Sequence, residues 1–264
     1  MKTAVVTLFS IICLMSAAPG FAHGGGNVDV DVVTEGGETL HMIPHKNYET
    51  GGAHVFKKYL EAKKGQNYGI VIRNNTPDRI GVVIAVDGRN IINGSASNLR
   101  TGEAMYIVNP YSSERLDGWR TGKNTTHQFY FTDAGDSYSA RTFSDSSAMG
   151  VIAVAAFRER VRYGYPKERS MQQAPAPAAG APARDEAQGL NSEKAGTGFG
   201  DERYSPTVTV AFEPEGTPFS KTLIKYEWRE ALCGKGILRC RPDDRNRLWD
   251  DSRYAPFPPG YVNR

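Results

Sequence analysis

Along much of this chain apolar and polar positions alternate with a period of two, the spacing of a strand that buries one face. In residues 27–33 (NVDVDVV), Val28, Val30 and Val32 fall on one side and Asp29 and Asp31 on the other. Residues 39–43 follow the turn Glu35-Gly36-Gly37 and are expected to pair back on that first strand. The densest signal is residues 69–93, GIVIRNNTPDRIGVVIAVDGRNIIN, which read as three short strands joined by two tight turns. Asp87-Gly88 between apolar runs suits a type I′ hairpin turn, because glycine reaches positive φ at no steric cost. This stretch is read as folding framework, with Asp87, Gly88 and Asn90 present to make the turn.

Residues 105–108 and the alternating run 127–131 (HQFYF) predict further strands. Residues 150–157 (GVIAVAAF) are almost wholly apolar, which places them mid-sheet or between two layers. In residues 54–64, Val55, Tyr59 and Ala62 lie near helical spacing and predict one short helix ended by Gly65. Residues 133–149 are polar and predict a long loop. In residues 163–200, Pro175, Pro177 and Pro182 stand among alanines and glycines, with too little apolar surface to offset the entropy of ordering. The run Gly196-Thr197-Gly198-Phe199-Gly200 has no following lysine and falls within that linker. Residues 207–212 and 222–228 predict two last strands that dock on the main sheet, since two strands alone are marginal in water.

The predicted fold class is therefore all-β: a mainly antiparallel β-sandwich, jelly-roll or immunoglobulin-like, with a disordered Pro/Ala/Gly linker. The expected organisation is a signal peptide at 1–22, a β-sandwich domain at 23–162, a flexible linker at 163–200, a C-terminal strand pair packing on the sandwich at 201–240, and an extended tail at 241–264. A content of 39% hydrophobic residues in 264 is enough for a real core. The 32 basic and 29 acidic residues are well mixed, so the net charge of +3 makes no electrostatic case for nucleic acid.

Lys2, an apolar run over 4–17 and the small-residue exit Gly20-Phe21-Ala22 form a secretory pattern, with cleavage expected after Ala22 and no transmembrane segment in the mature chain. The reading is export, to the periplasm or the cell exterior. Cys13 would leave with the signal. Cys233 and Cys240 then remain, the arithmetic of one disulfide in an oxidising compartment.

Candidate chemistry is thin. His41 and His45 flank Ile43-Pro44, which keeps the backbone extended and the pair from converging, and with His54 they do not make a metal site. Asp133, Asp136 and Asp145 sit in the polar loop and could serve as a carboxylate pair only if the fold sets their separation. Neither a G-x-S-x-G elbow nor an H-E-x-x-H motif occurs. Asn74, Asn93 and Asn124 stand in glycosylation sequons. No catalytic residue, metal ligand or cofactor is assigned. Most aromatics are expected to fill the core, but Tyr130 alternates out of phase with Phe129 and Phe131. The candidate binding surface is accordingly residues 119–141, with Trp119, Tyr130, Asp133, Asp136, Tyr138 and Arg141 as contact residues.

The run Val86-Asp87-Gly88-Arg89-Asn90-Ile91-Ile92, then Asn109-Pro110-Tyr111, Gly118-Trp119-Arg120, Phe129-Tyr130-Phe131, Asp136-Ser137-Tyr138-Ser139-Ala140-Arg141 and Gly150-Val151-Ile152, later Gly196-Thr197-Gly198, resembles a family of exported β-rich proteins of Gram-negative bacteria. The resemblance spans about 68–236. It implies a secreted β-rich protein and carries no functional residue over. The expected function is an exported non-enzymatic binding or structural protein; the alternative is an envelope or extracellular carbohydrate-active hydrolase using the loop carboxylates. The partner would be a protein or a glycan, with the proline-aromatic tail 241–264 as a docking segment.

Overall fold

The structure is a computed structural model that describes residues 27–160 and 194–240. The expected signal peptide at 1–22, most of the expected linker (residues 163–193) and the expected tail 241–264 lie outside the described residues. What is described is a sandwich of two sheets. In the first, β1 (Val28–Thr34) pairs antiparallel with β4 (Asn67–Asn74), Val30 opposite Ile72 and Val32 opposite Ile70. Beyond β4 come β8 (Ser113–Leu116) and β10 (Thr125–Asp133), and on β10 lie β9 (Gly118–Gly122), β12 (Ala195–Thr197) and β13 (Glu202–Tyr204).

The second sheet runs β2 (Met42–Thr50), β3 (Ala53–Ala62), β14 (Ser220–Trp228), β11 (Val151–Arg158), β5 (Ile80–Val86), with β6 (Arg89–Asn90) and β7 (Tyr106–Val108) also paired to β5. All its pairings are antiparallel except β3 with β14. Between the sheets, Val30, Val32, Ile70, Ile72, Phe129 and Phe131 share one buried core with Leu60, Val82, Ile84, Ile152, Val154, Ile224 and Tyr226. Every residue of β5 is buried, as the unbroken apolar run demands.

The stretch 69–93 does supply strands, but it divides them between layers: β4 in the first sheet, β5 and β6 in the second. Asn74 makes the corner. Its buried amide donates to the carbonyls of Asp78 (2.7 Å) and Asn109 (2.9 Å), while its oxygen accepts from the Thr76 amide and hydroxyl. With those atoms committed, the first sequon is shielded from modification.

Several expectations are corrected. Residues 54–62 belong to β3 and 63–64 to the turn after it, with no helix; pairing with β2 on one side and β14 on the other outweighs a local spacing that fitted a helix. The polar loop 133–149 holds a short helix, α1 (Tyr138–Phe143), capped at its start by the Ser137 hydroxyl accepting from the Ala140 amide (3.2 Å). The glycine run 196–200 is not linker: β12 is wholly buried on β10. A side chain at 198 would run into the Tyr130 ring, so glycine there admits the close approach. Nor is the C-terminal strand a docked appendage, because β14 is central in its sheet. Residues 207–212 form no strand. After β14 comes α2 (Arg229–Gly234), whose Cys233 is bonded to Cys240 with Cα atoms 5.6 Å apart, as expected.

Candidate functional site

The Asp87-Gly88 turn joins β5 to β6 with both residues at positive φ, 49° and 79°, the conformation a type I′ turn needs. Asp87 is fully buried. Its Oδ1 accepts from the Gly150 amide (2.7 Å) and the Tyr226 hydroxyl (2.6 Å), and its Oδ2 from the Thr197 amide (2.7 Å). One carboxylate thus ties the hairpin to β12, β14 and the residue preceding β11. Beyond it the Thr197 hydroxyl lies 2.7 Å from the Tyr226 oxygen and 2.8 Å from the Tyr68 hydroxyl. Each hydroxyl has one proton and Tyr226 gives its own to Asp87, so the chain runs Tyr68 to Thr197 to Tyr226 to Asp87.

Burial pushes the Asp87 pKa up from 3.8 to about 6, against the downward pull of these hydrogen bonds. Burial likewise raises Tyr226 and Tyr68 well above the usual tyrosine value. The sequence shows Asp87 as a turn former; its three donors stand 63, 110 and 139 residues away, where no local pattern reaches.

Beside this network opens a cleft of about 630 Å³ lined by Ser147, Met149, Lys194, Lys225, Tyr226 and Glu227, with Lys235 and Glu230 at its α2 side. Alternation along β14 sends Tyr226 into the core and leaves Lys225 partly exposed. The Lys225 Nζ donates to the Met149 carbonyl (2.7 Å), and burial lowers its pKa. Glu227 accepts from the Lys235 Nζ at 2.5 Å on both oxygens and stands 4.0 Å from the Lys225 Nζ. Three lysines therefore face two glutamates around one opening, giving it an anion-favouring balance.

The six residues singled out in 119–141 do not line this cleft. Trp119 is buried, its indole N–H donating to the Gly198 carbonyl (3.0 Å), and so belongs to the core rather than to a surface. Tyr130 is half-buried beneath Gly198 and Gly200. Tyr138 lies 4.6 Å from Trp119 and stacks on Phe199 at 5.1 Å. Asp136 and Arg141 form an exposed ion pair at 3.7 Å, and Asp133 pairs with Lys64. Asp145 is held by Arg89 (2.5 Å) and caps the Ser147 amide (2.9 Å). The fold thus brings Trp119 to Tyr138 and Asp136 to Arg141, and gives each loop carboxylate its own basic partner.

A second opening, about 620 Å³, runs between β7, β8 and residues 205–214 and is lined by Ile92, Met105, Tyr106, Leu116, Val208 and Phe212 among others. Among the described residues no group of three or more His, Cys, Asp or Glu is placed to hold a metal ion, and no helix is long and apolar enough to cross a membrane. Comparisons with family models, curated proteins and solved structures return no match for this chain.

Proposed function

We propose that this chain is an exported, non-enzymatic binding protein of the periplasm or cell exterior, and that the Lys225 cleft is its ligand site, suited to a small anionic ligand such as one bearing a carboxylate or phosphate. The observation that carries the reading is the convergence of Lys194, Lys225 and Lys235 on one opening, with Lys225 already half-removed from water. A partly desolvated ammonium interacts more strongly with an incoming anion than a surface lysine does. The disulfide between Cys233 and Cys240 is consistent with an oxidising compartment.

Saturation of the neighbouring groups favours binding over turnover. Asp87 is sealed by three donors, Glu227 is neutralised by Lys235, and the loop carboxylates Asp133, Asp136 and Asp145 are each spent on a different cation. A glycosidase needs two carboxylates facing one bond, one of them free to take or give a proton.

Titration calorimetry of the mature protein against a panel of small carboxylates and phosphate esters tests the site. Binding to one class, weakened at least about tenfold by Lys225→Met, is expected. Anion binding that Lys225→Met leaves unchanged would place the site elsewhere, and hydrolysis of a glycan panel that disappears on Asp136→Asn would replace the reading with the hydrolase.

A further inference from the structure

Residues 207–212, Thr-Val-Thr-Val-Ala-Phe, have the composition of a strand and almost none of its bonds. Both ends are tied down. The Thr207 amide and hydroxyl donate to the Lys123 carbonyl (3.1 and 2.8 Å), and the Arg160 amide donates to the Glu213 carbonyl (2.8 Å). Phe212 packs inward over Gly81, with the Arg79 guanidinium 6.0 Å from its ring. Between these anchors the amides of Val208, Thr209, Val210, Ala211 and Phe212 donate to no partner among the described residues. Val208 is 81% exposed and Val210 46%, whereas the valines of β1 and β5 are buried.

A β-branched segment with five open amides, only its Ala211 carbonyl taken by the Arg79 guanidinium (3.4 Å), and no charge between Pro206 and Glu213 is a template for another strand. We propose that residues 207–212 form the interface of a homodimer, pairing antiparallel with the same segment of a second copy across a two-fold axis. Self-complementarity favours this occupant. Centred on Thr209, the pairing sets Val208 opposite the partner copy's Val210 in both directions, burying the two exposed apolar side chains against each other. Pro206 and Pro214, which lack N–H donors, bound the ladder, and beyond them the same register sets Arg203 of β13 across from Glu215, opposite charges flanking each end. Arg203 now holds Glu35 in an exposed pair at 2.6 Å, an interaction of the kind that is cheap to exchange. This face shares no residue with the Lys225 cleft, so it stands or falls independently of the ligand site.

The test is sedimentation equilibrium of the full mature chain over a wide concentration range, with hydrogen exchange read at the 208–212 amides. The expected result is a monomer-dimer equilibrium in which alternate amides of this run, those that face the partner strand, are protected at high concentration and lose protection on dilution, while the amides between them stay open. Val208→Asp/Val210→Asp should weaken self-association roughly tenfold or more with an unchanged circular dichroism spectrum. Arg203→Glu should weaken it less, and Arg203→Glu/Glu215→Arg should restore it. A chain that stays monomeric at every concentration overturns the proposal. If its amides are then slow to exchange regardless of concentration, the segment is covered within a single chain. A dimer that survives the double valine substitution overturns it equally.

Discussion

Residues 80–86 and residues 207–212 are alike in composition, both rich in β-branched residues and both read from sequence as strand. Their outcomes are opposite. Every residue of β5 is buried between β11 and the short strands β6 and β7, and the turn that follows puts a carboxylate where three donors from other elements meet it. The 207–212 segment meets no ladder among the described residues, and its valines face solvent. Strand propensity selects a backbone conformation; whether bonds form depends on what the topology delivers alongside. β5 is served by neighbours from 89–90, 106–108 and 151–158, while 207–212 is anchored only at its ends.

Removing the Asp87 carboxylate should break the contrast most severely. Asp87→Ala strands two buried amides and the Tyr226 hydroxyl without an acceptor, each a loss of about 1–3 kcal/mol. The expected total is at least about 4 kcal/mol, read as a fall in the urea midpoint at constant slope. Asp87→Asn should lose less, because it removes the cost of burying a charge but turns an N–H toward one of the donors. If Asp87→Ala instead unfolds at the wild-type midpoint, the junction is not what fixes the hairpin to β11, β12 and β14.

The next effect is on pH. Because the folded pKa of Asp87 lies near 6, above its ordinary value of 3.8, the native state binds its proton more tightly than the unfolded chain does. Its contribution to stability is thus fully present below about pH 4 and lost as the pH rises through 6. The change is about 3 kcal/mol at most, since each pKa unit is worth about 1.4 kcal/mol. Carboxylates with lowered pKa, such as Asp145 and Glu103, act the other way and lose stability on acidification. The informative quantity is therefore the difference between wild type and Asp87→Asn, which should narrow as the pH climbs from 4 to 7. A difference flat with pH would mean that the hydrogen bonds cancel the effect of burial.

These two regions also mark which features are legible in the sequence alone. The alternation of Val28, Val30 and Val32, the apolar run 150–157 and the Asp-Gly turn are local patterns with local causes, and each became the element it implied. The helix expected over 54–64 failed because β3 is specified by β14, 166 residues away at the Ser220–His54 pairing, and nothing in residues 54–64 encodes that neighbour. Gly196 and Gly198 looked like linker because glycine marks both flexible chain and crowded backbone, and only Tyr130 and Ser137 above them decide between the two. Trp119 was a fair surface candidate until the Gly198 carbonyl supplied a buried acceptor for its indole. The Lys225 cleft gave no local signal at all, since its lysines come from residues 194, 225 and 235 and converge only after β14 has entered the sheet centre.

The smallest expected effect sharpens the comparison from the exposed side. Val210→Thr keeps the β-branched shape and exchanges one methyl for a hydroxyl. At a position 46% exposed it should change monomer stability by no more than about 0.5 kcal/mol. The same exchange at Val82, which is fully buried in the core, places an unpartnered hydroxyl among Ile and Phe side chains and should cost about 1–3 kcal/mol. Parallel urea titrations at low protein concentration, where any dimer is dissociated, give the two numbers side by side. If Val210→Thr proves as costly as Val82→Thr under those conditions, the 207–212 segment is already covered within a single chain, and the exposure of its valines is not a property of the free protein.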